Sequence, residues 1–167
     1  MMISEKVAAR LNEQVNHEFY NAWSYLAMAY WFETLGLRIF AKYFFKQSDE
    51  ERGHGAKIAQ YLVDQGAQVR LGSPKQPTID YKTAKEAIEA FVHQEILTTR
   101  QVHEIVDLAI AEKDHATRKF IDWKVEEQVE EVASANELLA MVKMADTTGQ
   151  LFMLENRLWH MLEEKKD

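Results

Sequence analysis

Two pairs of residues in this chain have types and spacings that could do chemistry: Glu51-x-x-His54 and Gln128-x-x-Glu131. A step of three places both members of a pair on one side of a helix, so each pair aims two donor groups at one region. Two lone acids, Glu18 and Glu95, lie 33 residues before Glu51 and Gln128 respectively. Four carboxylates, one imidazole and one amide make an oxygen-rich ligand set without thiolate. That set suits iron or manganese and disfavours copper(I) and structural zinc. Burying the cluster alone is costly, because unpaired carboxylates lose hydration and either repel each other or take up protons. His54 is the only internal cation the pattern offers, so cations from outside are expected. Glu51, central and with two oxygens, is the natural bridge between two ions.

Four helices must position these groups. Leu11, Val15, Glu18, Ala22, Tyr25, Ala29 and Phe32 step by fours and threes along a run from about Glu5 to Thr34 that lacks Gly and Pro. A second run, from about Leu37 to Gln65, carries Phe40, Phe44, Gln47, Glu51, His54, Ile58 and Tyr61 on one stripe. A third, opened by Thr83 with Glu86 as a capping box, presents Ala84, Ile88, Phe91, Glu95, Thr98, Val102, Ile105 and Ala109. A fourth, about 115–144, presents Ile121, Val125, Gln128, Glu131, Ala135, Leu138 and Val142, and a short fifth helix follows over about 150–164. Each of the four long stripes is apolar except near its middle. Each half of the chain thus reads as acid, turn, then a pair three apart, and antiparallel partners rising about 1.5 Å per residue bring these to one height.

Gly66 to Lys82 holds both prolines and little periodicity; its 17 residues are too many for a tight helix–helix turn. Extended at roughly 3.3 Å per residue it spans about 55 Å, enough to cross a bundle from end to end. The expected architecture is all-α: residues 1–167 as a single four-helix domain with a long crossover between helices two and three and a short C-terminal helix. Composition agrees, with 47% apolar and 28% charged residues, six Gly and two Pro. The formal charge of -7 argues against nucleic acid as a partner. No run approaches the roughly 18 apolar residues of a membrane span, and the N-terminus shows no signal-peptide pattern. With no cysteine, thiolate sites and disulfides are excluded and a cytoplasmic location is expected.

These features together resemble the non-haem ferritins of bacteria and archaea over nearly the whole chain. The motifs are Leu11-Asn12-Glu13-Gln14 leading to His17-Glu18, Glu50-Glu51-x-x-His54, Glu95, and Trp123-x-x-Glu126-Glu127-Gln128-x-Glu130-Glu131. The di-iron bundles of this superfamily use a Glu from each of two helices plus Glu-x-x-His from each of the others; here the second Glu-x-x-His is replaced by Gln128 and Glu131. The resemblance implies a first iron site of Glu18, Glu51 and His54 and a second of Glu51, Glu95 and Gln128. A third site would draw on Glu50, Glu127, Glu130 and Glu131. It implies Tyr25 beside the di-iron centre, as hydrogen-bond donor or electron source, with Trp123 in a similar or a packing role. The expected activity is oxidation of Fe(II) by dioxygen or hydrogen peroxide, with ferric mineral stored in a homo-oligomeric shell of 24 subunits.

Arg52 stands where haem-binding relatives carry methionine, so no haem is expected. His17, His93, His103, His115 and His160 read as ordinary surface or interface histidines. Trp23, Tyr30, Trp31 and Phe45 read as apolar surface available for assembly, and the Gly53/Gly55 pair around His54 suggests close helix approach. Two other readings remain open: a di-iron oxidase or peroxidase that stores nothing, and a metal-free helical interaction module.

Overall fold

The computed structural model describes residues 2–145 and 147–164. It is a four-helix bundle with a C-terminal helix, built from α1 (Glu5–Thr34), α2 (Arg38–Asp64), α3 (Ala84–Ala111), α4 (His115–Phe120), α5 (Asp122–Val142) and α6 (Thr148–Glu164), with no strand among the described residues. Local chemistry sets the boundaries. Ser4 Oγ accepts from Val7 N, Thr83 Oγ1 from Glu86 N and Asp114 Oδ1 from Thr117 N, each satisfying an amide that the first helical turn leaves unpaired. Gly36, at φ +75°, closes the α1–α2 turn in the left-handed region that glycine enters without a Cβ penalty.

The fourth expected segment is carried by two helices, α4 and α5, joined through Ile121. The amide of Lys124 bonds to Ile121 O three residues back, which tightens the chain locally at that point.

Side-chain pairs fix the directions. Lys6 meets Glu112, Arg10 meets Gln101 and Glu104, and Tyr25 meets Glu95, so α1 and α3 run antiparallel. Tyr61 meets Thr117 and His54 meets Lys124, so α2 runs antiparallel to the α4–α5 segment. The crossover lies along α1. Asn12 and Asn16 each both donate to and accept from its backbone, gripping Gln68, Arg70 and Gly72, and Trp31 packs edge-on against Tyr81 at the far end. From Asn12 to Trp31 that path covers about 28 Å of helix.

The C-terminal helix is fastened by a contact that the sequence does not announce. The N-cap position of α2 is Leu37, which has no side-chain acceptor. Buried Glu155 of α6 supplies one instead, accepting from the amides of Ile39 (2.5 Å) and Phe40 (3.2 Å). A carboxylate at a helix N-terminus is favoured by both the free N–H groups and the helix dipole.

Two apolar cores fill the bundle. One gathers Phe32, Phe40, Phe44, Phe91 and Leu138; the other gathers Leu11, Val15, Ile58, Leu62 and Ile105. The predicted stripes of α1, α2 and α3 are buried throughout, and that of α5 is buried except for Val125. Between the two cores lies a buried polar layer: Gln14, Glu18, Asn21, Gln47, Glu51, His54, Glu95, Thr98, Lys124, Gln128 and Glu131.

Of the aromatic residues expected at the surface, Trp23 (51% exposed) and Tyr30 (59%) are there. Trp31 and Phe45 are partly buried and pack onto the first core, because Tyr81 and Tyr30 fold over their edges.

Candidate metal centre

The helix pair α1–α2 brings Glu18, Glu51 and His54 together, with one ligand atom from each lying within 4.8 Å of the others. All three are buried. Neighbouring side chains hold the carboxylates in place. Gln14 Nε2 donates to Glu18 Oε1 at 2.6 Å, and Asn21 Nδ2 donates to Glu51 Oε2 at 3.1 Å. Asn21 is itself held by Thr98 and Gln94 of α3. His54 Nε2 lies 3.1 Å from Glu127 Oε1, leaving Nδ1 to face Glu51 and Glu18. A carboxylate behind an imidazole fixes its ring and raises its basicity as a ligand.

The expectation that His54 is the only internal cation is overturned: Lys124 is buried in the same cluster. Its side chain is fully buried and its Nζ lies 2.8 Å from His54 Nδ1, 3.4 Å from Glu18 Oε2 and 3.7 Å from Glu51 Oε1. The ammonium therefore stands among the same three groups that would hold a metal. Steps of three and four from Ile121 run through Lys124, Gln128, Glu131, Ala135 and Leu138, so the position was legible. The apolar alternative Val125 fits the same stripe, and a lysine is ordinarily expected in solvent.

Electrostatics follow from this packing. Burial and the nearby Glu51 push Glu18 up to about 7, against the pull of Lys124. Burial also acts to raise Glu51, but Lys124 and the hydrogen bond from His54 outweigh it and hold Glu51 below the ordinary carboxylate value. Burial disfavours imidazolium at His54, yet Glu127 and Glu51 lift it to about 9. A proton and the Lys124 ammonium compete for the same Nδ1 lone pair. An ammonium can only donate, so the 2.8 Å contact forms when Nδ1 is unprotonated, with the ring hydrogen on Nε2 towards Glu127; a proton on Nδ1 is instead donated to Glu51 at 3.1 Å.

The α3–α5 pair contributes the other side of the layer. Glu95 accepts from the Tyr25 hydroxyl at 2.5 Å and from Gln128 Nε2 at 3.2 Å. Burial raises Glu95 to about 7, with Glu131 adding to the effect and Tyr25 opposing it. Burial and the carboxylate of Glu95 drive the Tyr25 phenol well above its usual range, so it remains a donor. Buried oxygens of the layer that accept no hydrogen bond include Gln128 Oε1 and Glu18 Oε2, the latter facing Lys124 Nζ at 3.4 Å. An acceptor without a hydrogen bond in each half, beside carboxylates and an imidazole, fits a site built for cations.

The four further acids are spread out. Glu131 is buried close enough to Glu95 and Tyr43 to act on both. Glu50 accepts from Gln47 and pairs with Lys46. Glu127 lies against His54, and Glu130 is exposed. Trp123 packs its ring against His54 (5.5 Å) and under Lys57 (3.7 Å), closing the outer side of the imidazole. His17 departs from the surface reading: half-buried, it bonds Thr98 Oγ1 at 2.8 Å, and burial lowers its basicity. His93, His103, His115 and His160 are exposed.

Among the described residues no helix is long and apolar enough to cross a membrane. A family profile described as ferritin-like domain matches residues 8–145. The bacterial non-heme ferritin of Staphylococcus aureus strain MRSA252 is 34% identical over 158 residues, covering 94% of this chain and 95% of the relative. That of Staphylococcus epidermidis is 32% identical over the same length. Among solved structures, a novel open pore ferritin from the hyperthermophilic archaeon Archaeoglobus fulgidus superposes with a TM-score of 0.90 at 35% identity, covering 93% of this chain and 97% of that one. A bundle of this topology with a buried carboxylate–imidazole layer, matched over most of its length by these relatives, belongs to the ferritin family.

Proposed function

We propose that this chain is an iron-storage ferritin that oxidises Fe(II) at a two-iron centre and deposits the ferric product in a hollow homo-oligomeric shell. The observation that carries the reading is the convergence of Glu18, Glu51 and His54 beside Glu95 and Gln128 in one buried layer between two apolar cores. In this reading Glu18 and His54 hold the first iron, Glu95 and Gln128 the second, and Glu51 bridges them. Glu131 lies next to the second position, while Glu50, Glu127 and Glu130 belong to the path by which product leaves.

Each Fe(II) gives up one electron. Two Fe(II), one dioxygen and two protons yield two Fe(III) and one hydrogen peroxide; with peroxide as oxidant, the same two electrons and two protons yield two waters. The carboxylate-rich set drives the step because it favours the harder, more highly charged product ion. Tyr25 keeps Glu95 oriented through its hydrogen bond, and Gln14 and Asn21 do the same for Glu18 and Glu51. Ligands that are already held need little rearrangement when iron arrives.

Shell assembly is supported by apolar surface that a lone bundle leaves uncovered. Trp23 lines a groove of about 910 Å³ with Phe19, Leu26, Leu71 and Pro74, and α6 exposes Phe152 (63%) and Met153 (77%). The match to archaeal and bacterial ferritins supports a 24-subunit shell.

Aerobic addition of Fe(II) tests the reading. Uptake of far more than two irons per chain into a soluble particle is expected, with Glu18→Ala and His54→Ala slowing the fast phase while leaving the assembly intact. Saturation at two irons per chain would make the protein an oxidase without storage. Unchanged early kinetics in both variants would remove the site assignment.

A further inference from the structure

We propose that Lys124 is a tethered competitor for the first metal position, so that a divalent ion binds there only by displacing the Lys124 ammonium. The inference rests on the metal-binding reading of the site. Three observations carry it. Lys124 Nζ is in contact or near-contact with each of the three groups that define the position, at 2.8 Å from His54 Nδ1, 3.4 Å from Glu18 Oε2 and 3.7 Å from Glu51 Oε1. Its side chain has no exposure, and Glu18 and Glu51 are equally enclosed, so water cannot screen the contact. The hydrogen bond to His54 Nδ1 also occupies the lone pair that a metal would need.

A metal and the ammonium cannot share this space, because they repel each other and require the same ligand atoms. The lysine stem is flexible enough to move, and the rim of the site offers the head group a new partner. Glu127, with its side chain 31% exposed, touches the outer nitrogen of the same imidazole at 3.1 Å. Displacement would therefore move the charge from Glu18 and Glu51 towards Glu127, without leaving it unpaired.

Among the described residues no ammonium pairs with Glu95 at the second position: it is held by a phenol and an amide, which can rotate aside or remain as neighbours without opposing charge. Two consequences follow. The second position fills before the first, and the first binds more weakly than its ligand set alone would give.

Zn(II), which has no redox chemistry, is the probe, titrated calorimetrically into the metal-free assembled protein. Lys124→Met keeps much of the stem and removes the charge; Lys124→Gln serves as a second variant if the first does not assemble. The wild type is expected to show one tighter and one weaker site per chain, and the variant to bind the weaker one at least tenfold more tightly. His54→Ala added to Lys124→Met should abolish the gain. Unchanged affinities in an assembled variant overturn the lysine's role while leaving the metal site standing; no specific Zn(II) binding in either protein overturns both.

A second measurement uses the wild type alone. Acetylation of Lys124 by an amine-reactive ester, read by peptide mass spectrometry, should be suppressed in the metal-free protein and rise severalfold once both Zn(II) sites are filled. Continued protection at full occupancy overturns the displacement.

Discussion

The two halves of the buried layer are related by a constant offset yet neutralise their charge by opposite means. Glu18 and Glu95, Glu51 and Gln128, and His54 and Glu131 are each 77 residues apart, and so are Gln47 and Lys124. The last pair breaks the symmetry. In the α1–α2 half, a fully buried ammonium stands against Glu18 and Glu51, and Glu51 is held ionised by it. In the α3–α5 half no ammonium among the described residues forms an ion pair with Glu95, on which Lys124 acts only from a distance, and the corresponding position is the neutral amide of Gln47, which bonds to Glu50. Burial then leaves Glu95 holding a proton up to about 7, beneath the Tyr25 hydroxyl. A repeated ligand pattern fixes where donor groups stand. It does not fix what balances them before iron arrives.

The largest expected effect comes from removing the acids around the ammonium. Glu18→Gln combined with Glu51→Gln removes the two carboxylates nearest Lys124 and leaves only the more distant Glu127 and Glu95 to act on it. Losing the partners of a buried charge costs about 3 to 5 kcal/mol, so the metal-free double variant should unfold at markedly lower denaturant concentration. Either single change should cost less, because the surviving carboxylate still faces Lys124 at 3.4 or 3.7 Å. If the double change costs under about 1 kcal/mol, Lys124 is not held by these acids in solution and the contrast between the halves fails.

Glu95→Gln probes the other half, where the expected sign is reversed. The folded protein raises Glu95 from 4.5 to about 7, so it binds that proton more tightly than the unfolded chain does. The associated stability is therefore present below 4.5 and lost as pH rises through about 7. At about 1.4 kcal/mol per unit, the loss is on the order of 3 kcal/mol across that window. With a chelator present, urea unfolding of the wild type should weaken from pH 5 to pH 8. Glu95→Gln should flatten that slope and be the more stable protein at pH 8. Glu18 is also raised to about 7, so part of the slope persists in the variant. A wild-type slope that Glu95→Gln leaves unchanged would place the buried proton elsewhere.

Sequence patterning conveyed most of the architecture because helices advertise buried faces by period and breaks by composition. The stripe through Leu11, Glu18, Tyr25 and Phe32 and its counterparts place every proposed ligand of the two-iron centre in the buried layer. Three features were hidden for physical reasons. Lys124 lies on the inward heptad, but charge alone assigns it to solvent, and only the acids across the bundle make its burial tolerable. Glu155 caps α2 from 116 residues away, a tertiary contact with no local signature. Of the acids beside the site, Glu127, Glu130 and Glu131 form one cluster in sequence, with Glu50 apart on α2, but they point to different neighbours, because consecutive helical residues diverge by about 100°.

The smallest expected effect separates two glycines that only the first half possesses; the residues 77 positions on are Glu130 and Val132. Glycine in a helix interior costs about 0.5 to 1 kcal/mol relative to alanine, because it gives up more backbone freedom on folding. A Cβ on Gly53 would meet nothing within 4 Å, so Gly53→Ala should recover that amount as a higher denaturation midpoint. A Cβ on Gly55 would stand 3.0 to 3.2 Å from the ring atoms of Phe19 on α1, closer than the ring can accept without shifting. Gly55→Ala should therefore gain nothing or lose stability, despite the same backbone benefit. It should also disturb His54, its immediate neighbour, so that Zn(II) affinity changes in Gly55→Ala and not in Gly53→Ala. Equal stabilisation by both substitutions would mean that Phe19 yields freely and that close packing of α1 on α2 does not help hold the imidazole.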